Sequence, residues 1–205
     1  MAHSITTAAR RTQIVRSAID VIAELGYDKA SYARITERAG LSSPRLISYH
    51  FANKDDLIRQ IVVDIYTVAA QMLTERIRQE DTAADRLSAY LRANMEFLLE
   101  HPREVLALTA IGPHLRDDTG KPYTSASAQE PDVQVLEALL SEGRRAGEFR
   151  DFNARAMAVI IRGAITAAVQ RLHHEPDLDL DAYQQELVTT FALATRATPD
   201  AAPAE

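Results

Sequence analysis

The chain has 205 residues, of which 46% are hydrophobic and 25% charged, proportions that set aside wholesale disorder and a membrane-embedded protein. It holds no cysteine, which excludes thiol catalysis, disulfide stapling and cysteine-based zinc or iron-sulfur sites, and its few glycines and prolines disfavour an all-β sandwich or a glycine-rich nucleotide fold. The net charge of −6 is unevenly spread: residues 1–54 carry eight Lys/Arg against four Asp/Glu, and residues 55–205 carry 15 against 25, the pattern of a basic head that meets a polyanion and an acidic body with another task.

The first predicted helix runs from Thr12 to Leu25, with Ile14, Val15, Ala18, Ile19, Ile22 and Leu25 on one face and Gly26 closing it. Ahead of it, Met1–Arg11 lack the apolar core of a secretory signal, and Arg10 and Arg11 read as a short basic arm in a flexible end. Ser31 caps a short second helix that reaches Ala39, and Gly40 stops it. Ser42-Ser43-Pro44 then opens a third helix to His50, with Ser43 as the cap and Pro44 in the first turn, where a missing amide hydrogen costs nothing. Asn53-Lys54-Asp55-Asp56 starts a long fourth helix to about Gln79, its acidic residues at the positive end of the dipole.

Thr82 and Asp85 form a capping box for a helix to Glu100, and Pro102 opens the next, which Pro113 breaks or kinks after Ile111. Residues 116–132 are polar and aperiodic and read as a long loop. Helices follow over 133–145, ended by Gly147, over 153–173, apolar on most sides, and over 181–196; residues 197–205 read as a disordered tail. No stretch approaches the ~20 apolar residues of a membrane span, so a soluble, cytoplasmic protein is expected, with no membrane partner.

Three short helices, the second and third joined by a tight glycine-containing turn in the basic part of the chain, describe a helix-turn-helix head. The stretch Gly26–Leu57, GYDKASYARITERAGLSSPRLISYHFANKDDL, strongly resembles the DNA-binding head of TetR-type transcriptional regulators. The resemblance lies in Gly26-Tyr27 after the first helix, Ala39-Gly40 ending the second, the aromatic end of the third, and Phe51, Lys54, Asp55, Asp56 and Leu57 at the entry to the fourth. It is specific over residues 10–60; beyond them only the helical layout and length are similar to the family. From Ala39-Gly40 to Phe51 the chain is one residue longer than the commonest family spacing, which leaves two registers of base contact open.

The resemblance implies an all-α protein of about nine helices: an N-terminal helix-turn-helix DNA-binding domain, 1–54, and a helical ligand-binding and dimerisation domain, 55–196. It implies that Tyr49, His50 and Lys54 meet phosphate; the bland alternatives are packing of Tyr49 on the first helix and a solvated Lys54. Ser42, Ser43, Pro44, Arg45 and Ser48 belong to the turn and recognition helix, and Arg45 can grip guanine O6 and N7 or clamp a phosphate. Ser31, Tyr32 and Arg34 begin the second helix, which crosses the backbone in this motif.

For the body, a homodimer is expected to pair the last two helices in a four-helix bundle, with Gly163, Ala164 and Ala167 allowing close approach and Tyr183, Leu187 and Phe191 supplying apolar area; the alternative is an intramolecular core. The resemblance also implies a small-molecule pocket, for which Arg162, Thr166 and Gln170 form a polar stripe and Tyr90, Phe97, His101 and His114 are further candidates. His173 and His174 are adjacent and point apart on a helix, and there is no HExxH, no phosphate-cradling glycine loop and no GxSxG elbow, so no metal or cofactor is expected. The expected function is a homodimeric repressor of a palindromic operator in double-stranded DNA, released by an unidentified small-molecule effector and not an enzyme. The alternatives are a ligand-responsive activator of the same fold and, remotely, a small helical enzyme.

Overall fold

The computed structural model describes residues 2–116, 119–122, 124–175 and 177–197, with the side chains of 2–6, 125–128, 173 and 174 outside the description. Nine α-helices lie among the described residues, joined by turns and one 3-10 turn: α1 Ala2–Leu25, α2 Tyr32–Arg38, α3 Arg45–His50, α4 Lys54–Ile77, α5 Ala83–Glu100, α6 Pro102–Ile111, the 3-10 turn Gly112–His114, α7 Ser125–Arg145, α8 Ala154–His174 and α9 Leu180–Thr195. The tail expected over 197–205 lies outside the described residues, save Ala197, and so do the side chains of His173 and His174. No described helix is long and apolar enough to cross a membrane.

The chain forms two compact units. The first takes Met1–Val68 and His101–Tyr123; the second takes Ala69–Glu100 and Thr124–Glu205. Packing therefore groups α6 with the head, a different partition from the division at residue 54 expected from charge and motif. The reason is visible on α1, which packs on α6 as well as on α2 and α3. Arg103 of α6 donates to Asp20 of α1 at 2.6 Å, and Arg38 of α2 is paired with Glu24 of α1, whose carboxyl it holds below the usual range.

Local signals explain most element ends. Gly26 and Gly40 adopt φ of 80° and 61°, the left-handed conformation that closes α1 and α2. At the second, the Gly40 amide donates to Glu37 O at 3.1 Å and the Leu41 amide to Thr36 O at 2.9 Å, the paired bonds that make the α2–α3 turn tight. Ser31 caps α2, Asn153 caps α8 and Asp179 caps α9, each through its side-chain oxygen. The Thr82 hydroxyl accepts from the Asp85 amide at 3.0 Å and donates to the Asp85 carboxylate at 2.6 Å.

Two expectations need correction. Helix α1 begins at Ala2, ten residues before Thr12, so Arg10 and Arg11 stand on a helix and not in a flexible arm. Arg11 is built into the head: it donates to the His50 carbonyl and to Gln60 Oε1 at 3.0 Å, and its guanidinium lies 4.2 Å from the Phe51 ring centroid. Helix α7 begins at Ser125, so the latter part of the expected loop is helical despite Pro131 inside it. That proline leaves the carbonyl four residues earlier without its intrahelical donor. The early turns nevertheless hold because Gln129, Glu130 and Asp132 find polar partners on α8.

The second unit packs α7 on α8, and α5 on α7, α8 and α9. Gly143 is required there: a Cβ at this position would overlap the Phe149 ring and come within 2.8 Å of the Ala83 Cβ, so only glycine lets α7 approach so closely.

Candidate DNA interface and effector site

In the head, α3 separates an inner from an outer face. Ile47 is 0% exposed and Phe51, just past the helix, is buried, anchoring α3 to the core. Arg45, Ser48 and Tyr49, at i, i+3 and i+4, share the opposite face and are exposed, Tyr49 at 78%. Tyr49 therefore does not pack on α1. Ahead of α3, Pro44 has helical φ and ψ of −59° and −22°, and the Ser43 hydroxyl accepts from the Arg45 amide at 3.1 Å. Ser43 thus acts as the cap, while Ser42 and Pro44 remain exposed.

The other head residues divide. Ser31 and Arg34 are exposed at the start of α2. Tyr32 turns inward: its hydroxyl oxygen is buried without a hydrogen-bond partner among the described residues, and burial, with Asp56 and Asp55 nearby, raises its pKa. His50 is half-buried, its pKa lowered by burial and then by Arg11 and Arg10. Lys54 is half-buried at the start of α4, its ammonium 4.1 Å from the Tyr27 ring centroid and donating to the Tyr27 carbonyl at 3.1 Å. One of its three donors is committed to the fold. His114 stacks on the same Tyr27 ring, with centroids 4.0 Å apart and planes 15° from parallel.

In the second unit, three of the seven predicted pocket residues come together. Arg162 Nη1 donates to the Tyr90 hydroxyl at 3.1 Å and to Asn94 Oδ1 at 3.0 Å, and Nη2 lies 2.9 Å from the Asp132 carboxylate. Thr166, one turn on, accepts from Gln129 Nε2 at 3.0 Å. Burial raises the Tyr90 pKa, the Arg162 charge opposing it and Asp132 adding to it, so the phenol stays protonated. Asn94, Gln129 and Asp132 were missed in the sequence. Asn94 stands one turn from Tyr90 on α5, a spacing visible in the sequence; Gln129 and Asp132 lie in the polar, aperiodic stretch that reads as a loop.

The remaining pocket candidates fall elsewhere. Phe97 is buried on α5, and Gln170 is exposed. His101 and His114 belong to the first unit, where His101 lies 3.9 Å from Glu104 and His114 serves the Tyr27 stack. A cavity of about 550 Å³ in the second unit is lined by Ser141, Arg144, Arg145, Phe149, Arg150 and Asp151, none of them a predicted pocket residue.

The residues expected at a dimer surface also divide. Leu187 and Phe191 are each 6% exposed, so their apolar area is buried within the chain, on a helix that packs against α5 and α8. Tyr183 is half-buried and donates its hydroxyl to the Ala164 carbonyl at 2.7 Å. Gly163 is exposed and Ala164 and Ala167 are half-buried. The apolar groups that do face outward are Val159 and Ile160 on α8, at 51% and 59%, and Leu193 on α9, at 61%.

An all-α chain with an N-terminal helix-turn-helix head whose recognition helix is bare on one face and a helical C-terminal domain is a DNA-binding transcription regulator. Residues 14–61 match the model of the bacterial regulatory proteins, tetR family, so the head is that of a TetR-type regulator. The chain is 24% identical over 162 residues to the fatty acid metabolism regulator protein of Bacillus subtilis, covering 77% of this chain and 80% of that one. Its fold is shared with a transcriptional regulator from Saccharomonospora viridis in complex with choline, at 20% identity and a TM-score of 0.78, covering 93% of this chain and 100% of the other. It is likewise shared with the regulator FadR from Bacillus subtilis in complex with stearoyl-CoA, at 22% identity and a TM-score of 0.71, covering 88% and 97%.

Proposed function

We propose that this chain is a homodimeric repressor in the cytoplasm that reads a palindromic operator with α3 and is released by a small molecule bound in its second compact unit. The observation that carries the DNA reading is the two-sidedness of α3, with Ile47 wholly buried and Arg45, Ser48 and Tyr49 bare on one face. Arg45 is the base reader, through the bidentate geometry a guanidinium offers to guanine. Ser31, Arg34, Ser42, Tyr49 and the free donors of Lys54 serve the phosphates on either side.

Two heads are needed because one helix-turn-helix reads few base pairs, and paired half-sites lie about 34 Å apart. The exposed apolar groups Val159, Ile160 and Leu193, with Gly163 open to solvent between them in sequence, support pairing through α8 and α9. The polar cluster around Arg162 supports an effector site, as do the small molecules held by two proteins of the same fold. An effector needs a coupling of only about 1–3 kcal/mol to release the operator.

Gel shifts on genomic fragments across a salt series test this reading, with molar mass measured alongside. A dimer in solution and preferential binding to a palindrome are expected. Binding no stronger than to random DNA at moderate salt would refute the regulator reading, and a monomer at micromolar concentration would refute the dimer.

A further inference from the structure

Helix α7 is held to its unit in two ways. From Val133 onward it is held by apolar packing, with Val133, Leu136 and Leu140 at 4%, 0% and 0% exposure. The turn before contributes no buried apolar side chain: Gln129 is tied to Thr166, Glu130 to Arg155 at 2.8 Å and Asp132 to Arg162 at 2.9 Å, with an exposed Pro131 among them. This stretch is a helix whose ladder the proline interrupts and whose anchors are polar bonds that another polar group can replace.

Among those anchors, Arg162 is the unusual one. Its side chain is 12% exposed, beside the buried apolar residues Ala158, Ile161 and Ile165 of α8, and its Nε–H is buried without an acceptor among the described residues. An unmet donor on a buried cation is unfavourable, and an incoming oxygen would satisfy it. Asp132, the sole described carboxylate bonded to this guanidinium, is 36% exposed and can be hydrated once displaced. The asymmetry decides the sign of the ligand. An anion replaces Asp132 and leaves it to water, whereas a cation taking Asp132 strands Arg162 buried and unpaired.

We propose that Arg162 recognises the carboxylate of a small molecule and that Asp132 is a built-in occupant which this ligand displaces, releasing one of the three polar anchors between the early turns of α7 and α8. Tyr90, whose hydroxyl accepts from Arg162, is the second contact. The inference rests on the reading that this unit binds the effector, and adds its chemical class.

Calorimetric titration of the full chain with hexanoate, its neutral analogue hexanamide, and choline tests it. Asp132→Ala removes the competing carboxylate and is expected to bind hexanoate about tenfold or more tightly than the wild type, while hexanamide binding stays unchanged. Arg162→Lys keeps a cation but loses the planar fork, and is expected to lose hexanoate about tenfold in either background while melting cooperatively. Equal hexanoate affinity, or none, in wild type and Asp132→Ala overturns the proposal. So does hexanoate binding that survives Arg162→Lys, or choline binding that Asp132→Ala abolishes. Operator release is followed separately by fluorescence anisotropy. Hexanoate binding without release upholds the Arg162 site and refutes the effector reading; release by another compound, unaffected by Arg162→Lys, does the reverse.

Discussion

Two arginines, one in each compact unit, stand in opposite settings. In the first, the guanidinium of Arg45, the proposed base reader, stands in solvent on a helix anchored by an apolar residue, and the paired arginines Arg38 and Arg103 also lie at the surface. In the second, Arg162 is taken inside and hydrogen-bonded to three different residues on two other helices. Reading DNA requires groups that meet a partner from outside, and the fold beneath them can be purely apolar. Recognising a small molecule requires polar groups in the interior, where fold and site share the same side chains and neither can change alone.

Substitutions can break that contrast. The largest effect is expected from Ile47→Ala, which removes a fully buried side chain beneath the reading face and should destabilise by about 2–5 kcal/mol in denaturant titrations, with DNA binding lost as the head loosens. Arg162→Ala comes next, at about 1–3 kcal/mol, because Tyr90, Asn94 and Asp132 lose their common donor. Arg45→Ala is the decisive partner experiment: stability within about 0.5 kcal/mol of wild type, but about 1–3 kcal/mol of discrimination lost at one base pair. If Arg45→Ala destabilised as much as Arg162→Ala, the contrast between the units would fail.

Smaller effects sharpen it. Lys54→Ala should weaken binding to all sequences alike and make the log-log salt slope shallower by about 0.9, the value of one phosphate contact. The smallest concerns His50, whose pKa in the fold lies below its usual 6.5, so the fold favours the neutral ring. Its contribution to stability is present above pH 6.5 and is lost as pH falls through the lowered value. Melting temperatures between about pH 5 and pH 8 should therefore fall less on the acid side in His50→Gln than in wild type.

Much of the head was legible because its signals are local. Gly26 and Gly40 need positive φ, Ser31 needs a capped amide three residues on, and Ile47 needs only helical spacing to be placed inward. The errors arose where a distant partner overruled a local signal. Arg11 looked like a free basic arm until His50, Gln60 and Phe51 gathered round it. Pro131 and its polar neighbours looked like a loop until α8 supplied partners for Gln129, Glu130 and Asp132. Leu187 and Phe191 made an apolar stripe that any neighbour could have covered; their own chain covers them, and Val159, Ile160 and Leu193 are left outside.

By itself, the sequence determined the helical class, the helix-turn-helix head and its basic charge, because propensity, capping and spacing act within a few residues. Tertiary structure decided which polar groups meet: Arg162 with Tyr90, Asn94 and Asp132, and His114 with Tyr27. Those pairs lie tens of residues apart in the chain, and no local rule selects one distant partner over another until the helices have packed.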